Sequence, residues 1–449
     1  MKKKTLISLL ICIFLLVSAS TVQSMYSWST PSILSKESKS DTYRASVALD
    51  YRNTFHVAWK DNSDILHAGK DWDIFYSYKE HEKNWTTTEL VTTTSVNDSN
   101  CLAIAVDRNN TVHCVWKDQT DVENAGLDWD IFYTYKKWQK NWSSPHLLSI
   151  QSTGVCSCPS IAVDSYDTLH VIWSDNTDLN QSGEDMDIFY TYKPARGNWS
   201  TLALVTSGSQ QDASDAILAI DHSDMSHIVW YEATTPSGKK DILYTHLLIN
   251  GTWEAAELIS EQCYGTSSDP SIVIDSSSNI HVIWNDNSNL FDNGADSDIF
   301  YRKKSVESNW QPIDLLSSTS TSNCKWPMMV IDESDTLYVA WADQTSYDTK
   351  GSDYDIVMIY KPIHMPWSAA EVVTKESNND SNWPRFSVDH EGMIHLTWWD
   401  RTESQWITYY SIGILNDAQQ IKETPMYTIG ILLLFIAILF IIKKRYRLQ

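Results

Sequence analysis

The sequence predicts an all-β chain: a seven-bladed β-propeller closed by its N-terminal strand, followed by a C-terminal transmembrane helix. Three observations carry this. One tryptophan recurs at Trp59, Trp116, Trp173, Trp230, Trp284, Trp341 and Trp398, spaced 57, 57, 57, 54, 57 and 57 residues apart. An aspartate nine residues earlier keeps the same spacing: Asp50, Asp107, Asp164, Asp221, Asp275, Asp332 and Asp389. A second tryptophan series (Trp28, Trp85, Trp142, Trp199, Trp253, Trp310, Trp367) precedes each aspartate by 22 residues. Fixed spacing over seven copies is the mark of a repeat architecture.

Each copy reads as four short strands rich in β-branched and aromatic residues and separated by polar turns. In the third copy these are Ser160 to Asp164, Leu169 to Trp173, Asp187 to Tyr192, and a strand running from Trp199 through Val205. No segment between the two ends shows sustained helical periodicity. The seventh copy stops after its third strand, at Ile407 to Tyr410, whereas the N-terminus holds one spare fourth strand, Trp28 to Ser35. That spare strand is expected to complete the last blade and remove an open sheet edge. Loops between second and third strands, and between one blade and the next, are long, so one face of the ring is loop-rich and the other tight.

The ends are of another kind. Met1-Lys2-Lys3-Lys4, an apolar run from Leu6 to Val17 and small residues at Ser18 to Ser20 have the layout of a secretory signal peptide, residues 1–24. Residues 426–442 form a second run of 17 residues without charge, about 26 Å as a helix, which nearly matches a bilayer core. Lys443, Lys444, Arg445 and Arg447 follow and place the tail, 443–449, in the cytoplasm. The domains expected are therefore 1–24 signal peptide, 25–415 ectodomain, 416–425 juxtamembrane linker, 426–442 membrane helix and 443–449 tail. The localisation expected is a single-pass cell-membrane protein with its propeller outside, the loop-rich face pointing away from the membrane.

Net charge over the whole chain is −23. Residues 25–425 hold 27 basic and 57 acidic side chains, or −30, which excludes nucleic acid as a partner. An acidic channel would also disfavour an anionic sugar. Outside the cell, Asn-X-Ser/Thr strings become glycosylation candidates: Asn84, Asn97, Asn109, Asn141, Asn180, Asn198, Asn250 and Asn379.

Five blades share a loop between second and third strands that reads Asp-[Asn/Gln]-[Ser/Thr], then Gly-x-Asp-x-Asp. Its carboxylates are Asp61, Asp71, Asp73; Asp118, Asp128, Asp130; Asp175, Asp185, Asp187; Asp286, Asp296, Asp298; and Asp343, Asp353, Asp355, with Gly69, Gly126, Gly183, Gly294 and Gly351. Two readings fit. Calcium would compensate clustered carboxylates at a bend that glycine permits. Turn chemistry would use the same aspartates to accept loop amide hydrogens. Six histidines (His56, His113, His170, His227, His281, His395) and Tyr338 share one position. Equivalent positions in separate blades cannot share one metal, so an internal hydrogen bond to a strand aspartate is expected. Trp72, Trp129, Trp326 and Trp383 fall outside the two tryptophan series and in or beside loops of the outer face, where they pack or stack on sugar rings. Six cysteines remain after signal cleavage; Cys101 is expected to pair with Cys156 or Cys158, and Cys114 to be a buried thiol.

The phrase Ile161-Ala162-Val163-Asp164, Leu169-His170-Val171-Ile172-Trp173-Ser174-Asp175, Asp187-Ile188-Phe189-Tyr190 resembles the secreted propeller repeats of the sialidase-like superfamily, over residues 28–412. The resemblance implies the architecture. It departs from true sialidases, which have six blades and an Asp-box around a different turn. A sialidase-like site needs an arginine cluster. Only Arg44, Arg52, Arg108, Arg196, Arg302, Arg385 and Arg401 lie outside the ends; Arg44 and Arg385 are both near the first strands of blades that become neighbours on closure, and no third arginine joins them. No hydrolase motif string is present. The reading is a membrane-anchored binding or adhesion module for a glycan, surface protein or cation. An exported sialidase-like glycoside hydrolase and a structural surface component are the alternatives.

Overall fold

The computed structural model describes residues 26–234, 238–305, 308–347, 353–375, 377–402 and 404–416. Two units are distinguished, Thr30–Ile412 and the remaining terminal segments. The larger unit holds seven antiparallel sheets, one per repeat, as the spacing predicts. The first strands (Thr42–Leu49, Ser99–Val106, Cys156–Val163, Ala213–Ile220, Ser267–Ile274, Cys324–Ile331, Ser381–Val388) neighbour one another around the axis, and the last returns beside the first. Second strands are covered on both faces. In blade three every residue of Leu169–Asp175 is buried, so the strand reads as a run and not as an alternation.

The repeated aspartate has a local cause. Asp164 closes the tight turn after the first strand, its Oδ1 accepting the N–H groups of Tyr166 and Thr168 at 2.8 and 2.7 Å. Its Oδ2 faces His170 Nε2 at 3.4 Å, and His170 Nδ1 meets the Tyr190 hydroxyl at 2.8 Å. The same arrangement recurs in blades one, two, four, five and seven. In blade six the Tyr338 hydroxyl donates to Asp332 instead, at 3.1 Å. The histidines thus satisfy buried polar groups in blades two, three, five and seven, whereas His56 and His227 stand 3.5 Å from Asp50 and Asp221 and their Nε2 atoms neither accept nor donate a hydrogen bond. The ring of Tyr190 in turn meets Trp253 of the next blade edge-on at 5.2 Å, a contact repeated by Tyr76 with Trp142 and by Tyr410 with Trp85. Turn, strand and neighbouring blade are therefore locked by one chain of contacts.

The N-terminal strand closes the ring. Ser32 and Ile33 pair with Tyr410 and Tyr409 of the last strand, and the Leu34 N–H donates to the Thr408 carbonyl at 2.9 Å. In the smaller unit, Tyr26–Trp28 pairs with Gly413–Leu415. A Cβ at Gly413 would stand 3.0 Å from the Trp28 ring, so any larger residue would require the ring to shift by a few tenths of an ångström.

No helix among the described residues is long and apolar enough to cross a membrane. The signal peptide, the 426–442 segment and the 443–449 tail lie outside the described residues.

Candidate functional site in the axial pocket

Each first strand bears a β-bulge at the same place. The register slips between Tyr43 and Ser46, Asn100 and Ala103, Ser157 and Ser160, and so on around the ring. The residue opening the bulge is Arg44, Cys101, Cys158, Asp215, Asp269, Trp326 or Trp383. Six of the seven adopt left-handed backbone, with φ between 46° and 53°. Such a conformation costs about 1 kcal/mol or more for a side-chain-bearing residue, and glycine would relieve it. No blade has a glycine there. Bulges re-aim side chains, and these seven line one cavity of about 430 Å³ on the axis. Strain repeated where side chains of four different chemistries converge marks a candidate functional site.

The ring falls into sectors in blade order. Arg44 (blade one) and Arg385, two residues beyond Trp383 in blade seven, form a cationic sector. Both guanidinium groups lie over the Trp383 ring, at 5.1 and 5.3 Å from its centroid. Cys101 and Cys158 are joined in a disulfide between blades two and three, and Arg44 Nη1 donates to both sulfurs at 2.6 and 3.1 Å. Asp215 and Asp269 make an acidic sector in blades four and five. Trp326 and Trp383, with centroids 5.6 Å apart, make an aromatic one. The aromatic surface continues through Trp399, stacked on Trp383 at 5.4 Å, to Tyr43 and Trp72.

Burial dominates the electrostatics. It lowers the Arg385 pKa to about 10 and that of Arg44 below the usual arginine value, with Asp269 and Asp215 opposing the shifts. Burial raises Asp215 above the ordinary carboxylate range; Arg44, Lys240 and Lys117 pull it back. Asp269 is pushed up to about 6 by burial and by the neighbouring charge of Asp215. Around the cationic sector, Lys60 lies 4.4 Å from the Trp72 ring centroid, and burial with the Arg44 field lowers its pKa to about 8. Lys117 lies over Trp129 at 4.6 Å.

Three expectations change here. The channel is not uniformly acidic, because Arg44 and Arg385 line it together with Asp215 and Asp269. Trp326 and Trp383 are first-strand residues facing the axis; Trp72 and Trp129 stand at the ends of the loops before the third strands, as expected, each with a lysine over its ring. Of the two cysteine pairings, Cys101–Cys158 is the one formed, and Cys156 is a buried thiol, as are Cys114, Cys263 and Cys324. Cys156 Sγ points at Asp175 Oδ2, 3.0 Å away, and so away from the axis.

The loop carboxylates are dispersed among separate tasks. Asp61 stands opposite Asp73 across the strand pair, and the same holds for Asp118 with Asp130, Asp175 with Asp187, Asp286 with Asp298 and Asp343 with Asp355. The first of each pair accepts the N–H two residues on, from Ser63, Thr120, Thr177, Ser288 or Thr345. The second accepts a hydroxyl, from Thr92, Ser149, Thr206, Ser317 or Thr374. Asp71, Asp128, Asp185 and Asp296 fold back over the loop glycine, where a Cβ would meet their Oδ1 at 2.5–2.8 Å. Gly351 lies outside the described residues, beside Asp353. Among the described residues no three His, Cys, Asp or Glu side chains are placed to hold a metal ion. Charge is nonetheless left unmet: Oδ2 of Asp61, Asp71 and Asp73, and of Asp185 and Asp187, is buried without a partner.

Of the glycosylation candidates, Asn84, Asn109, Asn141, Asn180, Asn198, Asn250 and Asn379 are exposed. Asn97 is half-buried, its amide donating to the Gln119 carbonyl at 3.1 Å.

No protein-family model matches the sequence, and no curated protein does. Solved structures do share the fold. A protein of unknown function from Dyadobacter fermentans DSM 18053 matches at TM-score 0.53 and 9% identity, over 88% of this chain and 100% of that one. A PL25 polysaccharide lyase, an ulvan lyase bound to -[GlcA(1-4)Rha3S]-, matches at TM-score 0.54 and 8% identity, over 83% and 96%. The leech intramolecular trans-sialidase matches at 0.44 and 9%, over 88% and 71%. The propeller fold is thus shared with solved structures that include polysaccharide lyases.

Proposed function

We propose that this chain is an exported, membrane-anchored binding module that holds an anionic, saccharide-sized ligand in its axial pocket, entered from the loop-rich face. One observation carries the reading: Arg44 and Arg385 converge on the Trp383 ring inside a strained, side-chain-bearing ring of bulges. Paired guanidinium groups suit a carboxylate or sulfate. The tryptophan surface beside them suits the apolar face of a sugar ring, and the cavity is of ligand size. The signal peptide and the 426–442 segment support export and anchoring. The loop-rich face then points away from the membrane.

Calorimetric titration of the purified full-length chain with a glucuronate-containing oligosaccharide tests this. Arg385→Ala is expected to weaken binding by about 10- to 100-fold, the worth of a charge-assisted contact. No binding by the wild type, or equal binding by the variant, would overturn the reading. A second reading, glycan cleavage, is favoured by one feature: Asp215 and Asp269 are a carboxyl pair in the pocket, and the raised Asp269 suits a general acid. Mass spectrometry of the recovered oligosaccharide separates the two, since binding leaves its length unchanged.

A further inference from the structure

The pocket has two poles. Blades seven and one supply Arg385 and Arg44. Blades four and five, on the other side of the ring, supply Asp215 and Asp269 at the same bulge position that carries Arg44. The flanks between the poles are the disulfide and the tryptophan pair. The donors to the acidic pole are neutral: Asp269 accepts from Ser268 Oγ at 3.1 Å and, with the Asn285 amide turned to satisfy both its ends, from the Asn285 nitrogen at 3.1 Å. The nearby cations act on these acids through their fields and are held elsewhere: Arg44 by the cysteine sulfurs, Lys117 over Trp129 and Lys240 over Tyr231 at 4.0 Å.

Two adjacent carboxylates facing a cavity repel each other, and a neutral hydroxyl does not relieve that repulsion, whereas a cation does. The blade that follows them offers Trp326, a ring that favours a cationic group. Resting on the proposed anion-binding reading, we infer that the pocket takes a zwitterionic saccharide: a carboxylate on Arg44 and Arg385, and a free, protonated amino group on Asp215 and Asp269. Substrates with an acetylated or absent amine would meet only half of the site.

The test compares two disaccharides of glucosamine and glucuronate that differ only in N-acetylation, titrated calorimetrically into the unmodified full-length protein. The free amine is expected to bind at least about tenfold more tightly, the discrimination of one charge-assisted contact. In the Asp215→Asn/Asp269→Asn variant that preference is expected to vanish. Equal affinity of the two sugars for the wild type overturns the inference and leaves the anion-binding reading standing. A preference that survives in the variant overturns its assignment to these aspartates. Failure of both sugars to bind overturns the anion-binding reading and this one with it. The wild-type comparison needs no variant to fold.

Discussion

Replacing Asp73 with asparagine should stabilise the protein at alkaline pH. Asp73 begins the third strand of blade one and is 1% exposed. Its Oδ1 accepts from the Thr92 hydroxyl at 2.7 Å, and its Oδ2 has no partner. Burial raises its pKa to about 7, opposed by Thr92 and reinforced by Asp71, Asp118 and Asp98. In the unfolded chain the value is about 3.9. The folded value lies above the unfolded one, so this group's stability is complete below pH ~4 and is lost as pH rises through ~7. Three units correspond to roughly 4 kcal/mol above pH 8. Asparagine keeps the Thr92 contact but buries an amide N–H₂ without a partner, which costs about 1–2 kcal/mol. A net gain of about 2 kcal/mol remains. In a unit of about 380 residues, with unfolding entropy near 2.1 cal/mol/K per residue, that is a rise in Tm of about 2–3 °C. Calorimetric melting at pH 8.5 with chelator is the assay; at pH 5 the gain should vanish, because wild-type Asp73 is then protonated. A lower Tm for Asp73→Asn at pH 8.5 would refute the argument. The same melts with millimolar calcium test the cation reading of the loops: ion sites would raise the wild-type Tm, and the rise would be smaller in the variant, which keeps four of the five loops intact.

Two further outcomes are expected. Cys158→Ser removes a bridge across 57 residues, a loop whose closure entropy is worth about 4 kcal/mol, so Tm should fall by about 5 °C, and peptide mapping without reductant should find Cys101 joined to Cys158 and not to Cys156. His281→Phe should destabilise by about 2–3 kcal/mol, because it strips a partner from buried Asp275 and from the Tyr301 hydroxyl. Burial works against Asp275, yet hydrogen bonds from His281 and Asn279 hold it well below the usual carboxylate range. Its stabilising contribution is therefore lost only as pH falls through that depressed value, and denaturant unfolding of the variant at neutral pH, followed by tryptophan fluorescence, reads the loss.

The repeat was legible because packing imposes the same residue on every blade. Trp173 fills the space between sheets, and Asp164 closes a turn and holds His170, so both recur at fixed spacing. Closure by the Ser32 region followed from counting strands. The axial ring was hidden by the opposite circumstance. It sits six residues before each repeated aspartate, yet its occupants are Arg, Cys, Cys, Asp, Asp, Trp and Trp, so a search for shared residues passes over it. The signal available was a position in perfect register whose side chains disagree. Arg44 and Arg385 are not in register with each other, and only the bulge geometry shows that both reach the Trp383 ring. The cysteine pairing was likewise undecided by spacing, since Cys156 and Cys158 are two residues apart on one strand; the bulge turns Cys158 toward the axis and leaves Cys156 in the blade.

Ring closure also sets a timetable. The Ser32 hydroxyl reaches the Tyr410 carbonyl across 378 residues of chain. At roughly 5–20 residues per second, synthesis separates the two by about 20–75 s. Throughout that interval the first segment of the propeller has no partner, and the growing stack of sheets has a raw edge at each end. Whatever accompanies the emerging chain must keep both edges apart from those of other copies, because a strand from a second molecule would satisfy the same hydrogen bonds and yield an interlocked pair.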